Sequence, residues 1–150
     1  MIAPDFSLPD QTDTIHTLSH SAGKWRIVYF YPKDDTPGCT IEACNFRDSL
    51  SVLKEKGIVV YGISKDTTKS HKKFADKFSL NFPLLSDPTH ETIDTYGAWR
   101  PKKFMGKEFL GIIRKTVLIN PKGEIVKEYE GMKLETHAQD ILTDIEASVA

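Results

Sequence analysis

Two cysteines five residues apart, Cys39 and Cys44, are the only thiols in this 150-residue chain. They lie in Tyr31-Pro32-Lys33-Asp34-Asp35-Thr36-Pro37-Gly38-Cys39-Thr40-Ile41-Glu42-Ala43-Cys44, where a buried strand should end and a helix begin. Trp25 to Tyr31 is almost continuously apolar or aromatic, as suits a strand covered on both faces. Pro32 stops it, having no N–H to donate. Thr36 then reads as an N-cap and Pro37 as the first helical residue. Cys39 falls in the first turn, where unpaired N–H groups and the positive end of the helix dipole favour an anion. A thiolate is the form of cysteine that reacts.

The plainer reading of Cys39 is a small core hydrophobe. It shares a face with Ala43, Phe46, Leu50 and Leu53, and free cysteine is commonly buried and inert. Against that stand the Pro-Gly helix start, the hydroxyl three residues earlier and the second thiol five residues later. These put the reactive reading ahead. Cys44 alone would pass for a filler on the helix flank. In a regular helix, residues five apart are separated by ~8.6 Å at Cα, whereas a disulfide needs roughly 4.4–6.8 Å. If the two thiols pair, the first turns must unwind. The spacing is unlike C-x-x-C, whose partners nearly touch.

Other chemistries find less support. A structural zinc site needs about four Cys or His ligands at paired spacing. His16, His20, His71, His90 and His137 are scattered, and each reads as a surface residue. No local signature supports a papain-like Cys-His protease. Neither G-x-x-x-x-G-K-[ST] nor G-x-G-x-x-G occurs, so a nucleotide phosphate site has no warrant. The net charge of −1 gives no reason to expect nucleic acid or an acidic membrane as partner. No apolar run is long enough to span a bilayer. No signal peptide is visible, so the cytoplasm is the expected location. In that compartment a transient disulfide is more plausible than a permanent one.

The elements around the cysteines alternate. Phe6–Leu8 and Ile15–Leu18 predict a small opening hairpin, and Pro37 to Lys56 a helix closed by Gly57. Ile58–Ile63 is a second continuous apolar strand. Asp66 is expected to cap a basic helix with an i, i+4 pair at Phe74 and Phe78. Leu84-Leu85 is a short strand, and Asp87-Pro88 should open a helix carrying Ile93 and Tyr96. Residues 98–113 show no period and read as a long loop. Thr116–Ile119 and Ile125–Tyr129 flank the turn Asn120-Pro121-Lys122-Gly123. Thr136 to Gln139 matches a capping box, followed by a helix with Ile141, Ile145 and Val149 on its core face. The prediction is one α/β domain over 1–150 with a sheet covered by helices on both faces.

Pro32-x-x-x-Thr36-x-x-Cys39 resembles the active-site signature of the peroxiredoxins, and Cys44 five residues on resembles their Q-type, or bacterioferritin comigratory protein, branch. Ala3-Pro4-Asp5-Phe6-Ser7-Leu8, Phe30-Tyr31-Pro32-Lys33, Leu84-Leu85-Ser86-Asp87, Lys103-Phe104-Met105-Gly106-Lys107 and Gly111-Ile112-Ile113-Arg114 extend the likeness over nearly the whole chain. The resemblance implies a thioredoxin-like three-layer fold with a central mixed sheet, and a thiol-dependent peroxidase acting on hydrogen peroxide and organic hydroperoxides. Cys39 would be the peroxidatic residue, becoming a sulfenic acid. Cys44 would be the resolving residue, closing an intramolecular disulfide that thioredoxin or a similar dithiol reduces. Arg114 would supply positive charge, Thr36 would hydrogen-bond the reacting groups, and Pro32 would shield the pocket. Glu42 is a weaker site candidate that could simply extend the helix. No metal or cofactor is implied, and the state expected is a monomer. The competing class is a redox-sensing or holdase-type binding protein using the same disulfide switch.

Overall fold

The computed structural model describes residues 1–149. At its centre is the apolar strand that leads into the cysteines. β3 (Trp25–Phe30) is central in a five-stranded mixed sheet, parallel to β4 (Ile58–Ser64) and antiparallel to β8 (Lys115–Ile119). β5 (Leu84–Ser86) pairs parallel with β4 on one side, and β9 (Ile125–Tyr129) antiparallel with β8 on the other, giving the order β5-β4-β3-β8-β9. A short antiparallel pair, β1 (Ser7–Pro9) and β2 (Ile15–Thr17), forms the opening hairpin.

Because successive side chains of a strand point to opposite faces, β3 supplies two cores. Ile27 and Tyr29 face a cluster built with α1 (Pro37–Glu55), α2 (Thr68–Phe78) and α4 (His137–Val149). Val28 and Phe30 face a second cluster with Phe6, Leu18, Tyr61, Ile93 of α3 (Glu91–Thr95) and Tyr96. The sheet is thus sandwiched as the three-layer expectation requires.

The apolar stripe of α1 is buried as its spacing predicts: Cys39, Ala43, Phe46, Leu50 and Leu53 all lie inside. Phe46 stacks on Tyr29 with ring centroids 4.8 Å apart, which registers the cysteine helix over the central strand. Tyr29 in turn lies on the bare backbone of Gly62 in β4. A Cβ there would stand 2.8 Å from the Tyr29 ring.

Several local expectations are corrected. Residues 98–113 form an antiparallel hairpin, β6 (Trp99–Phe104) and β7 (Lys107–Ile112), turned at Met105 and Gly106 with φ of 51° and 80°. Two positive φ values suit a primed hairpin turn, but methionine is a poor sequence signal for one. The strands hide as well, because Lys103 to Leu110 are all exposed and so show no inside-outside alternation. α2 is capped by Thr67, whose hydroxyl accepts from the Ser70 N–H, while Asp66 binds elsewhere. α3 starts at Glu91, later than Asp87-Pro88 suggests. At α4 the capping box does not form: the Ala138 N–H donates to Asn45 Oδ1 of α1 at 2.7 Å, and Gln139 binds Ser49 and Asn45. Val149 is exposed, so Ala138, Ile141 and Ile145 carry that core face. His71 and His137 are buried, where a surface position was expected.

Candidate active site

The strand-to-helix junction brings the cysteine into a charged corner of the core. β3 ends where Tyr31 N–H donates to the Ile63 carbonyl, and half-buried Pro32 turns the chain out of the sheet. Asp35 adopts the left-handed conformation with φ of 56°. Thr36 occupies the N-cap position with extended backbone, its carbonyl accepting from Thr40 N–H at 2.8 Å. Its side chain does not cap, contrary to expectation: the hydroxyl donates back to the Lys33 carbonyl at 2.8 Å. Among the described residues no acceptor meets the N–H of Gly38 or Cys39. The helix therefore starts with unpaired donors in the turn that carries the sulfur.

Cys39 is almost fully buried and Cys44 half-buried, and both are free thiols. Arg114, on the link between β7 and β8, reaches across to α1. Its Nη2 donates to Cys39 Sγ at 3.3 Å and its Nη1 to Glu42 Oε1 at 2.8 Å. Arg114 is thus distinguished from Arg26, Arg47 and Arg100. Arg26 and Arg47 bind backbone carbonyls, and Arg47 also holds Asp48. Arg100 pairs with Glu130 at 2.6 Å.

Glu42 is the residue whose importance the sequence understated. One turn after Cys39, it lies on the same inward side of α1 and is fully buried. Burial pushes its carboxyl up to about 7, against the pull of Arg114. Among the described residues nothing hydrogen-bonds its second oxygen, Oε2. A buried carboxyl with one lone oxygen is costly in its charged form, and Arg114 is what makes the charge tenable. For Arg114 itself, burial opposes the charge, while Glu42 and the Cys39 sulfur outweigh it and hold the guanidinium above its ordinary value. The sulfur, guanidinium and carboxylate form a line in which the carboxylate fixes the cation and the cation faces the sulfur.

Such an arrangement can stabilise a sulfur anion and the charge that develops when it attacks an O–O bond. With α1 intact, the Cα atoms of Cys39 and Cys44 are about 8.6 Å apart by helix geometry, beyond disulfide reach. Any bond between them requires the first turns of α1 to open.

The AhpC/TSA family model matches residues 1–128. The chain is 46% identical over 140 residues to a putative peroxiredoxin bcp of Haemophilus influenzae, covering 93% of this chain and 90% of the relative. To peroxiredoxin Bcp of Escherichia coli it is 44% identical over 141 residues, covering 94% of this chain and 90% of that one. A solved structure of Xanthomonas campestris bacterioferritin comigratory protein, described with insights into its alkyl peroxide reduction activity, matches at a TM-score of 0.90. It is 35% identical, with 97% of this chain and 92% of that chain covered.

Proposed function

The chain belongs to the AhpC/TSA family, among its Bcp peroxiredoxins, and from that premise we propose how this thiol-dependent peroxidase runs its cycle. Cys39 is the peroxidatic residue. Its thiolate attacks one oxygen of a hydroperoxide, the O–O bond breaks, and the leaving alkoxide or hydroxide takes a proton to depart as alcohol or water. Cys39 is left as a sulfenic acid. The observation that carries this reading is Arg114 Nη2 at 3.3 Å from Cys39 Sγ, held by a buried carboxylate.

The other residues follow from their bonds. The Thr36 hydroxyl proton is engaged by Lys33, so Thr36 offers lone pairs and accepts from the O–H of the peroxide. The Gly38 and Cys39 N–H groups receive the developing oxygen charge. Pro32 screens the pocket where the chain leaves the sheet. After α1 opens, the Cys44 thiolate attacks the Cys39 sulfur, the S–S bond forms, and the sulfenic oxygen leaves as water. A dithiol reductant of the thioredoxin type then restores both thiols while becoming oxidised itself. Hydrogen peroxide and organic hydroperoxides are the proposed substrates. The partner sulfur lies in the same chain, so the cycle needs no second subunit, and we assign a monomer working in the cytoplasm. Among the described residues no helix is long and apolar enough to cross a membrane. The bracing of Arg114 against Glu42 favours catalysis over a slow sensing or holdase switch, which has no need of a fixed cation.

Peroxide consumption with thioredoxin present tests the cycle. Cys39→Ser should abolish it. Cys44→Ser should allow one turnover and then stop. Steady-state activity retained by the Cys39 variant would refute the assignment.

A further inference from the structure

Beneath the loop joining β3 to α1 lies a buried polar cluster that none of these steps uses. His71, on the inner side of α2, is fully buried. Its Nδ1 lies 2.7 Å from Asp34 Oδ2, and its Nε2 lies 3.0 Å from the Leu85 carbonyl of β5. A carbonyl can only accept, so Nε2 carries a proton, and a second proton is shared between Nδ1 and the carboxyl oxygen. Asp34 accepts two further bonds, from the Tyr31 hydroxyl at 2.6 Å and the Ser70 hydroxyl at 2.9 Å. Its own N–H donates to Asp66 Oδ2 at 2.8 Å, and Ser64 donates to the same oxygen at 2.8 Å. Asp34, Asp66 and His71 place oxygen and nitrogen atoms within 4.8 Å of one another. That is metal-like spacing, but those atoms already hold protons for one another, so the cluster is a fastener and not a cation site.

What it fastens matters for the cysteine. Asp34 comes two residues before Thr36 and five before Cys39. It is tied to β3 through Tyr31, to α2 through His71 and Ser70, and to the end of β4 through Asp66 and Ser64. Immediately downstream, Asp35 is in the left-handed conformation, and the turns of α1 that must open begin at Thr36. A rigid anchor thus abuts a segment that has to unwind.

We propose that Asp34 and His71 are positioning residues that clamp the β3–α1 loop, so that α1 opens and recloses about Asp35 and Thr36 without drawing the loop out of the fold. This rests on the reading of Cys39 and Cys44 as a reacting pair. By keeping the loop in place the clamp favours reclosure of α1 after each opening, and thereby sets the competition that the sulfenic acid faces. In the closed pocket a second hydroperoxide oxidises Cys39–SOH to the sulfinic acid and is itself reduced to alcohol or water. In the opened segment Cys44 forms the disulfide and water leaves. Loosening the clamp shifts the balance toward the opened segment, giving less sulfinic acid and a slower first step.

The test uses the full chain as reduced wild type, Ser70→Ala and His71→Gln, each treated with graded hydrogen peroxide, quenched and weighed by intact mass spectrometry. Ser70→Ala removes one half-buried donor, so it keeps the test open if the histidine variant fails to fold. At the peroxide concentration that half-converts wild type to the sulfinic form, the sulfinic-to-disulfide ratio should fall about fivefold, the scale set by losing one ordinary hydrogen bond. Amide exchange over 35–40 should quicken. A ratio unchanged in both variants, with thermal stability lowered or not, overturns the clamp. A wild type that never forms the disulfide overturns the proposed cycle, and the clamp with it.

Discussion

A Cβ built on Gly38 would stand 3.0 Å from Arg114 Nη2, the atom that donates to Cys39 Sγ. The missing side chain at position 38 is the space the guanidinium occupies. Since the clash falls on the tip of a flexible side chain, Gly38→Ala should let the fold stand and displace the cation. We expect the second-order rate with hydrogen peroxide to drop by about tenfold to a hundredfold, part of what a lost oxyanion donor costs. Thermal stability should hold or rise, since alanine suits a helix better than glycine by about 1 kcal/mol. Stopped-flow kinetics decides this, and a rate equal to wild type would show that Arg114 need not sit where it does.

Glu42 and His137 should pull the pH dependence of stability in opposite directions. Burial raises Glu42 to about 7. From its ordinary value of 4.5 up to there, the folded chain holds a proton the unfolded chain has released. Its contribution to stability therefore falls as pH rises through that window. Burial lowers His137 to about 4, so below 6.5 the unfolded chain takes up a proton the folded chain refuses, and stability falls with acid. Glu42→Gln should remove the first slope and expose the second. Urea unfolding at pH 5, 6, 7 and 8 should show a steeper acid loss in the variant than in wild type, by no more than about 1.4 kcal/mol per pH unit. Parallel profiles would contradict the assignment to Glu42.

Asn45 joins the cysteine helix to the C-terminal one. Its Oδ1 accepts from Ala138 N–H, and its Nδ2 donates to the Glu135 carbonyl and to Gln139 Oε1. Asn45→Ala strips the cap and leaves a buried N–H without a partner, costing about 1–2 kcal/mol. Chemical denaturation measures that loss. Peroxide reduction by the folded fraction should stay near normal, because the side-chain bonds of Asn45 run to Glu135, Ala138 and Gln139 and not to the Cys39–Arg114 pair.

Gly62→Ala should cost about 1–3 kcal/mol, the range for overpacking a filled core, because the new methyl meets the Tyr29 ring at 2.8 Å. Tyr29 carries Phe46, so the strain should reach α1 and show as faster amide exchange along that helix. A melting temperature equal to wild type would mean the ring has room to move.

The legible part of the sequence was the part written locally. Trp25 to Phe30 reads as a covered strand because every residue from Arg26 to Phe30 is buried. Cys39 to Leu53 reads as a helix face because the spacing and the packing agree. The contact between Arg114 and Cys39 was legible only through family resemblance, since 75 residues separate the two and several other arginines fit as well.

What escaped reading depends on distant chain. The capping box of α4 fails because both of its side chains are drawn elsewhere: the Thr136 hydroxyl donates to Asp140, and Gln139 reaches across to Asn45 and Ser49 of another helix. His71 looks like one more polar residue in a lysine-rich helix, yet its partners lie in the β3–α1 loop and in β5. Glu42 sits where a surface acid would suit the helix dipole. Only Arg114, arriving from far along the chain, makes its burial tolerable.

The Thr36 side chain turns back to Lys33 and leaves the leading amides of α1 unanswered. If Cys39 reacts as proposed, these amides are what a peroxide oxygen would meet, so binding would finish the first turn of the helix and product release would leave its end open to fraying. Recognition and disassembly would then be two phases of one event.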